Sequence, residues 1–131
     1  MSDHFNVFNA RYETMENEYF EGSGAQGRIL HQSADGQHLT IATRYPNGVR
    51  FSYGAQVDYM ETFYVVHGHG TRTLPDGSVL DMNAGDVILV QPGIEIAYVY
   101  DPGLVDVAFF WSNQRLPDSL TGGLSPPEFA S

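Results

Sequence analysis

Glu61 is the carboxylate of this sequence best placed to move a proton. It stands in the run Tyr59-Met60-Glu61-Thr62-Phe63-Tyr64-Val65-Val66, whose β-branched and aromatic residues predict an extended strand. Successive strand side chains point to opposite faces, so Phe63 and Val65 share the face of Glu61. Turned inward, that face sets the carboxyl among apolar groups, and desolvation of its charged form raises its pKa toward neutrality. Such a group suits general base or acid catalysis near pH 7. The plainer alternative is a carboxyl hydrogen-bonded to a tyrosine and without chemistry. Tyr59 shares the face of Glu61 if the strand already begins there. Its hydroxyl could orient a substrate, or the residue could simply pack.

Other residue types invite chemistry at less favourable positions. His67-Gly68-His69 has a chelating pattern, but it follows Glu61 by about 20 Å of extended chain and is expected in an exposed turn. His31 and His38 fall on predicted strands. Either could enter the interior as a base, or as a metal ligand together with Glu61, against the ordinary expectation of a surface or hydrogen-bonded histidine. Arg28, Arg44 and Arg50 could pair a substrate carboxylate, although salt bridges are the usual role of arginine in so acidic a chain.

Short strands must position these groups. The runs Arg28–His31, His38–Arg44, Val49–Tyr53, Thr62–Val66, Thr71–Leu74, Ser78–Met82, Asp86–Val90, Ile94–Tyr100 and Val105–Trp111 all read as β. Asp35-Gly36, Asn47-Gly48 and Asp76-Gly77 between them read as hairpin turns of type I′. Many short strands with regular turn chemistry predict a β-sandwich or closed barrel over residues 25–112. Residues 1–24, with Phe5, Phe8, Tyr12, Tyr19 and Phe20, read as an arm packing on the barrel or on a partner. Residues 113–131 are rich in Pro, Gly and Ser and read as a tail.

Composition removes several classes of function. The 131 residues fit one domain, large enough to bury a core without staples. Without cysteine there is no disulfide, thiolate zinc site or cysteine nucleophile. The six basic residues are all arginine, so Schiff-base chemistry and a P-loop are excluded. A formal net charge of -10 opposes binding to nucleic acid. Met1-Ser2-Asp3-His4 opens neither a basic nor an apolar segment, and no apolar run approaches the roughly 20 residues of a membrane span. The expectation is a soluble, cytoplasmic protein without membrane partners.

The glycines carry a further pattern. Gly48, Glu61 and Gly68 are spaced as in the first motif of the cupin superfamily, and Gly85 and Gly93 as in the second. The chain therefore resembles a small, single-domain cupin, which implies an all-β double-stranded β-helix, or jelly-roll, barrel. The segment Tyr59–Gly68, followed by Ala84-Gly85-Asp86-Val87 and Pro92-Gly93-Ile94-Glu95-Ile96, looks most like the ethanolamine-utilisation cupins. In this register Gly54 and Gln56 stand where the first motif has histidines, Ile96 replaces the histidine of the second, and Tyr100 replaces its asparagine. Of four expected metal ligands only Glu61 remains, so no metal and no cofactor are expected.

What the resemblance and the residues imply together is a metal-independent cupin enzyme of isomerase, lyase or cyclase type, acting on a small apolar or aromatic metabolite. Glu61 would move the proton, with Tyr59 and Gln56 holding polar substrate groups. Tyr53, Phe63, Ile96, Tyr98 and Tyr100 would line the pocket. A non-catalytic small-molecule-binding or accessory cupin is the alternative, and a metal site rearranged around Glu61 and a displaced histidine is a third reading. The resemblance also implies a homodimer.

Overall fold

The computed structural model describes residues 17–125. Ten strands appear in chain order: β1 (Asn17–Glu18), β2 (Gln26–Gln32), β3 (His38–Tyr45), β4 (Val49–Tyr53), β5 (Met60–His67), β6 (His69–Thr73), β7 (Val79–Asn83), β8 (Val87–Val90), β9 (Ile96–Tyr100) and β10 (Leu104–Trp111). They form a six-stranded sheet ordered β1-β2-β3-β10-β5-β8 and a four-stranded sheet ordered β4-β9-β6-β7. All pairings are antiparallel. Each strand expected from the sequence is present, with no end moved by more than two residues.

Alternation makes the interior. On β5 Glu61, Phe63 and Val65 are buried, and on β10 Asp106, Ala108 and Phe110 are buried. Ile96, Tyr98 and Tyr100 of β9 face them from the other sheet, completing an apolar core with Ile29, Ile41, Met82 and Leu104. One irregularity matters for the interior. The pairing of β5 with β10 shifts between Val105 and Asp106, so that Val105 opposes His67 while Asp106 opposes Val65. The extra residue, Val66, is a bulge that brings Asp106 into line with the inward residues of β5.

The hairpin turns differ from the expected type I′. The glycines Gly36, Gly48 and Gly77 have positive φ, but among the described residues Phe20 is the only non-glycine that does. Each glycine N–H instead donates to the carbonyl three residues back, at Ser33, Tyr45 and Leu74. The type I turn followed by a left-handed glycine is the longer-loop hairpin solution, and Pro46 and Pro75 suit its second position.

The ends are tied to the barrel within the described residues. β1 pairs with β2, and the Tyr19 hydroxyl donates to the Leu120 carbonyl at 3.0 Å. Residues 1–16 of the expected arm lie outside the described residues. The segment read as a loose tail packs down through buried Leu116, Leu120 and Leu124, around a 3-10 helix at Asp118–Thr121. Its apolar residues recur every four positions, which supplies the core contact that composition alone concealed.

Candidate active site

A cavity of about 350 Å³ lies between the sheets. That is within the usual range for small-molecule pockets. Its walls come from Tyr45, Val49, Phe51, Tyr53, Phe63, Val90, Tyr98, Tyr100, Ala108 and Phe110, with Tyr19, Phe20 and Leu120 contributed by the two ends of the described chain. Two carboxyls, Glu61 and Asp106, also line it, and among the described residues no arginine or histidine does.

Glu61 points inward because alternation along β5 couples it to Phe63 and Val65, which are 1% and 0% exposed. Glu61 itself is 9% exposed. Burial pushes its carboxyl up to about 7, and hydrogen bonding from the Tyr53 hydroxyl partly opposes that rise. The Tyr53 hydroxyl also bonds the Tyr59 hydroxyl. Tyr59 is buried against Phe110, with ring centroids 6.0 Å apart, behind the cavity wall. Tyr59, Tyr53 and Glu61 thus form a line of polar groups running from the core to the cavity. Tyr98 lines the same cavity, and its buried hydroxyl has no hydrogen-bond partner among the described residues. Desolvation, with Glu61 nearby, holds its pKa up at about 12, so it stays protonated and free to donate.

Asp106 was not anticipated. It is fully buried, and its Oδ1 has no partner. Desolvation first, and the neighbouring charge of Glu61 second, hold its carboxyl well above the usual carboxylate range. Asp106 lies opposite Thr43 of β3 and Val65 of β5. Because Phe110 opposes Glu61, Asp106 is displaced from Glu61 by four strand positions, about 13 Å of strand at roughly 3.3 Å per residue. The cavity therefore has two poles. Tyr53 and Tyr98 feel Glu61 as their nearest carboxylate, whereas Tyr45 and Tyr100 feel Asp106.

Several expected site residues lie elsewhere. Gln56 is exposed in the loop after β4 and does not reach the cavity. Ile96 is buried in the core but does not line the cavity wall. Gly54 has φ 118°, and a Cβ placed there would stand 2.2 Å from the Ile94 carbonyl oxygen, so the backbone itself admits no histidine at this position. His31 and His38 are exposed on the outside of the barrel. Arg44 Nε donates to Gln26 Oε1 at 2.6 Å, and Arg50 is exposed. His67 and His69 lie at the β5–β6 turn, far from Glu61 as expected. His69 is clasped by Asp101 at 2.7 Å and Asp81 at 3.0 Å, which favours its charged form.

The donor set does not fit a transition metal. Glu61 is the one cupin-motif ligand present, Gly54 and Ile96 offer no donor, and Gln56 faces outward. Among the described residues no three of His, Cys, Asp and Glu converge as a metal site.

Comparison with known proteins places this architecture. No protein-family model matches the sequence, and no curated protein matches it. An RmlC-like cupin from Shewanella frigidimarina NCIMB 400 superposes with a TM-score of 0.64 over 84% of this chain and 92% of its own, at 19% identity. The chain has a cupin fold. KdgF from Halomonas sp. gives a TM-score of 0.60 at 16% identity, covering 86% of this chain and 99% of its own. Ethanolamine utilization protein Q from Salmonella typhimurium LT2 gives 0.55 at 21% identity, covering 72% and 76%. The resemblance read from Gly48, Glu61, Gly68, Gly85 and Gly93 is thus matched by the three-dimensional fold, and these four glycines all have positive φ. No helix among the described residues is long and apolar enough to cross a membrane.

Proposed function

We propose that this cupin is an enzyme that moves a proton on a small apolar or aromatic metabolite, with Glu61 as the general base or acid and without a metal. The observation that carries the reading is a buried carboxyl, raised to about 7, on the wall of an apolar cavity. A carboxyl that holds its proton near pH 7 can both accept and return one during a single turnover. Isomerisations, eliminations and cyclisations of carbonyl compounds that pass through an enol or enolate begin with such a transfer. Tyr53 steadies the carboxylate as it forms, and Tyr59 positions Tyr53 from behind. Tyr98 offers its unpartnered hydroxyl to charge developing on the substrate beside Glu61. Phe51, Phe63 and Tyr100 supply flat walls, with Phe51 stacked on Tyr98 at a centroid distance of 5.1 Å.

Deuterium exchange tests this without knowledge of the natural substrate. The purified protein is incubated in D2O with 1,4-diacetylbenzene and related aryl diketones, which carry a carbonyl at each end, and label entering the carbon beside a carbonyl is followed by NMR. Exchange above the buffer rate, reduced at least about 100-fold in Glu61→Gln, is the expected result. Equal rates in the two proteins contradict it. Binding of these ketones without exchange favours a non-catalytic binding cupin.

We also propose a homodimer, as the resemblance implies. The outward face of the six-stranded sheet supports it: Tyr64, Val87, Leu89, Phe109 and Trp111 are large apolar side chains, all exposed. Strand register makes them neighbours, since Tyr64 opposes Val87 while Thr62 lies between Leu89 and Phe109. A contiguous apolar face of this kind marks an association surface.

A further inference from the structure

We infer that the Asp106 end of the cavity recognises a neutral hydrogen-bond acceptor, such as a ketone or ester carbonyl, at the end of the ligand remote from Glu61. The inference rests on the proposed reading only for which end of the ligand reacts.

The first ground is an unsatisfied group. Asp106 lines the cavity, and its buried Oδ1 bonds to nothing among the described residues. A buried polar atom without a partner is rare, and a cavity-lining side chain that carries one can turn to find its partner in what fills the cavity. Thr43 opposes Asp106 across the β3–β10 pair, and Tyr45 and Tyr100 feel its charge, yet Oδ1 has no partner among the described residues.

The second ground is the burial of Asp106 itself. Desolvation first, and the charge of Glu61 second, favour its protonated form. A neutral carboxylic acid is a hydrogen-bond donor, so its complement on the ligand is an acceptor.

The third ground is the absence of a compensating cation. Among the described residues no arginine or histidine lines the cavity, so a ligand carboxylate at this pole would meet two acidic groups in a low dielectric. A neutral acceptor incurs no such repulsion. Separation of the poles by about 13 Å of strand sets the ligand's shape as elongated, with an apolar or aromatic body between two polar ends.

Three probes of matched shape test this by calorimetric or NMR titration: 4-phenyl-2-butanone, n-butylbenzene and 3-phenylpropionate. The wild type is expected to bind the ketone about tenfold more tightly than the hydrocarbon, and to bind the carboxylate more weakly than either. Asp106→Leu should erase the ketone's advantage. Asp106→Asn, which still donates, should keep it. Equal binding of ketone and hydrocarbon by the wild type overturns the inference even if Asp106→Leu does not fold. So do tighter binding of the carboxylate, absence of ketone binding at millimolar concentration, and a ketone preference that survives in Asp106→Leu. Loss of the predicted ranking with Glu61-dependent exchange intact sinks this inference alone. The predicted ranking with no exchange leaves it standing and sinks the catalytic role of Glu61.

Discussion

Glu61 and Asp106 face one cavity from adjacent strands, four positions apart, and burial raises both carboxyls above their ordinary range. Two acids in one apolar chamber cannot ionise independently, and their different surroundings separate their roles. Glu61 has Tyr53 to receive its charge, whereas Asp106 Oδ1 has no donor. The first is suited to exchange a proton near neutrality and the second to keep one.

Burial of Glu61 makes stability depend on pH. Its folded value of about 7 exceeds its ordinary 4.5, so the folded state holds a proton that the unfolded state has released. Stability is therefore undiminished below pH 4.5, falls between 4.5 and about 7, and stays reduced above. Glu61→Gln lacks this cost, and the full shift corresponds to about 3 kcal/mol. Urea melts of both proteins at pH 4 and pH 8 should show the variant gaining on the wild type by up to that amount. A difference independent of pH would contradict the burial of an ionisable carboxyl here.

Tyr53→Phe removes the hydroxyl that favours the Glu61 carboxylate. The Glu61 midpoint should move further up, and the acidic limb of the exchange profile should move with it. Tyr59→Phe should produce a smaller shift in the same direction, because it acts only through Tyr53. An unchanged midpoint in Tyr53→Phe would remove Tyr53 from the site.

His69 bridges strands through Asp81 and Asp101, and both carboxylates raise its pKa above 6.5. Its stabilising charge is fully present below the unfolded pKa and is lost as pH rises through the folded one. His69→Ala should therefore cost stability at pH 6 and less at pH 9, by a small amount because the pair is exposed. Parallel thermal melts of the two proteins at these pH values check the sign.

Gly54→His restores a cupin histidine in name only. With φ at 118° and the Ile94 carbonyl in the place of its Cβ, any side chain strains the turn by about 2 kcal/mol or more. A markedly lower Tm is expected, without gain of metal. A variant as stable as the wild type that binds stoichiometric manganese or nickel would refute this account of the loop.

The outward apolar face should govern association. Phe109→Glu combined with Leu89→Glu places charges on the two strands that flank β5 on that face and should convert a dimer to a monomer in light scattering, with the cavity unaffected. A monomeric wild type would contradict the proposed assembly.

The strands were legible because β-branched and aromatic runs alternate with glycine turns, and the inward direction of Glu61 followed from Phe63 and Val65. Asp106 was hidden by the symmetry of its own strand. Both faces of Leu104–Trp111 are apolar, Asp106 with Ala108 and Phe110 on one and Val105, Val107 and Phe109 on the other, so a charged residue argued for the wrong face. Only its pairing with Val65, fixed by the bulge at Val66, decides the matter. Gln56 failed for a related reason: motif spacing counts residues but does not show that the chain turns outward at Gly54. Leu116, Leu120 and Leu124 carried a four-residue apolar period that the surrounding Pro, Gly and Ser obscured.

The proposed proton transfer depends on the ionisation of one side chain. A carbon-13 NMR titration of the Glu61 carboxyl, assigned by its disappearance in Glu61→Gln, measures it in the intact protein. A midpoint near 7 is predicted. A midpoint near 4.5, the value of an exposed glutamate, would contradict the proposal that Glu61 is the proton-moving group of this cavity.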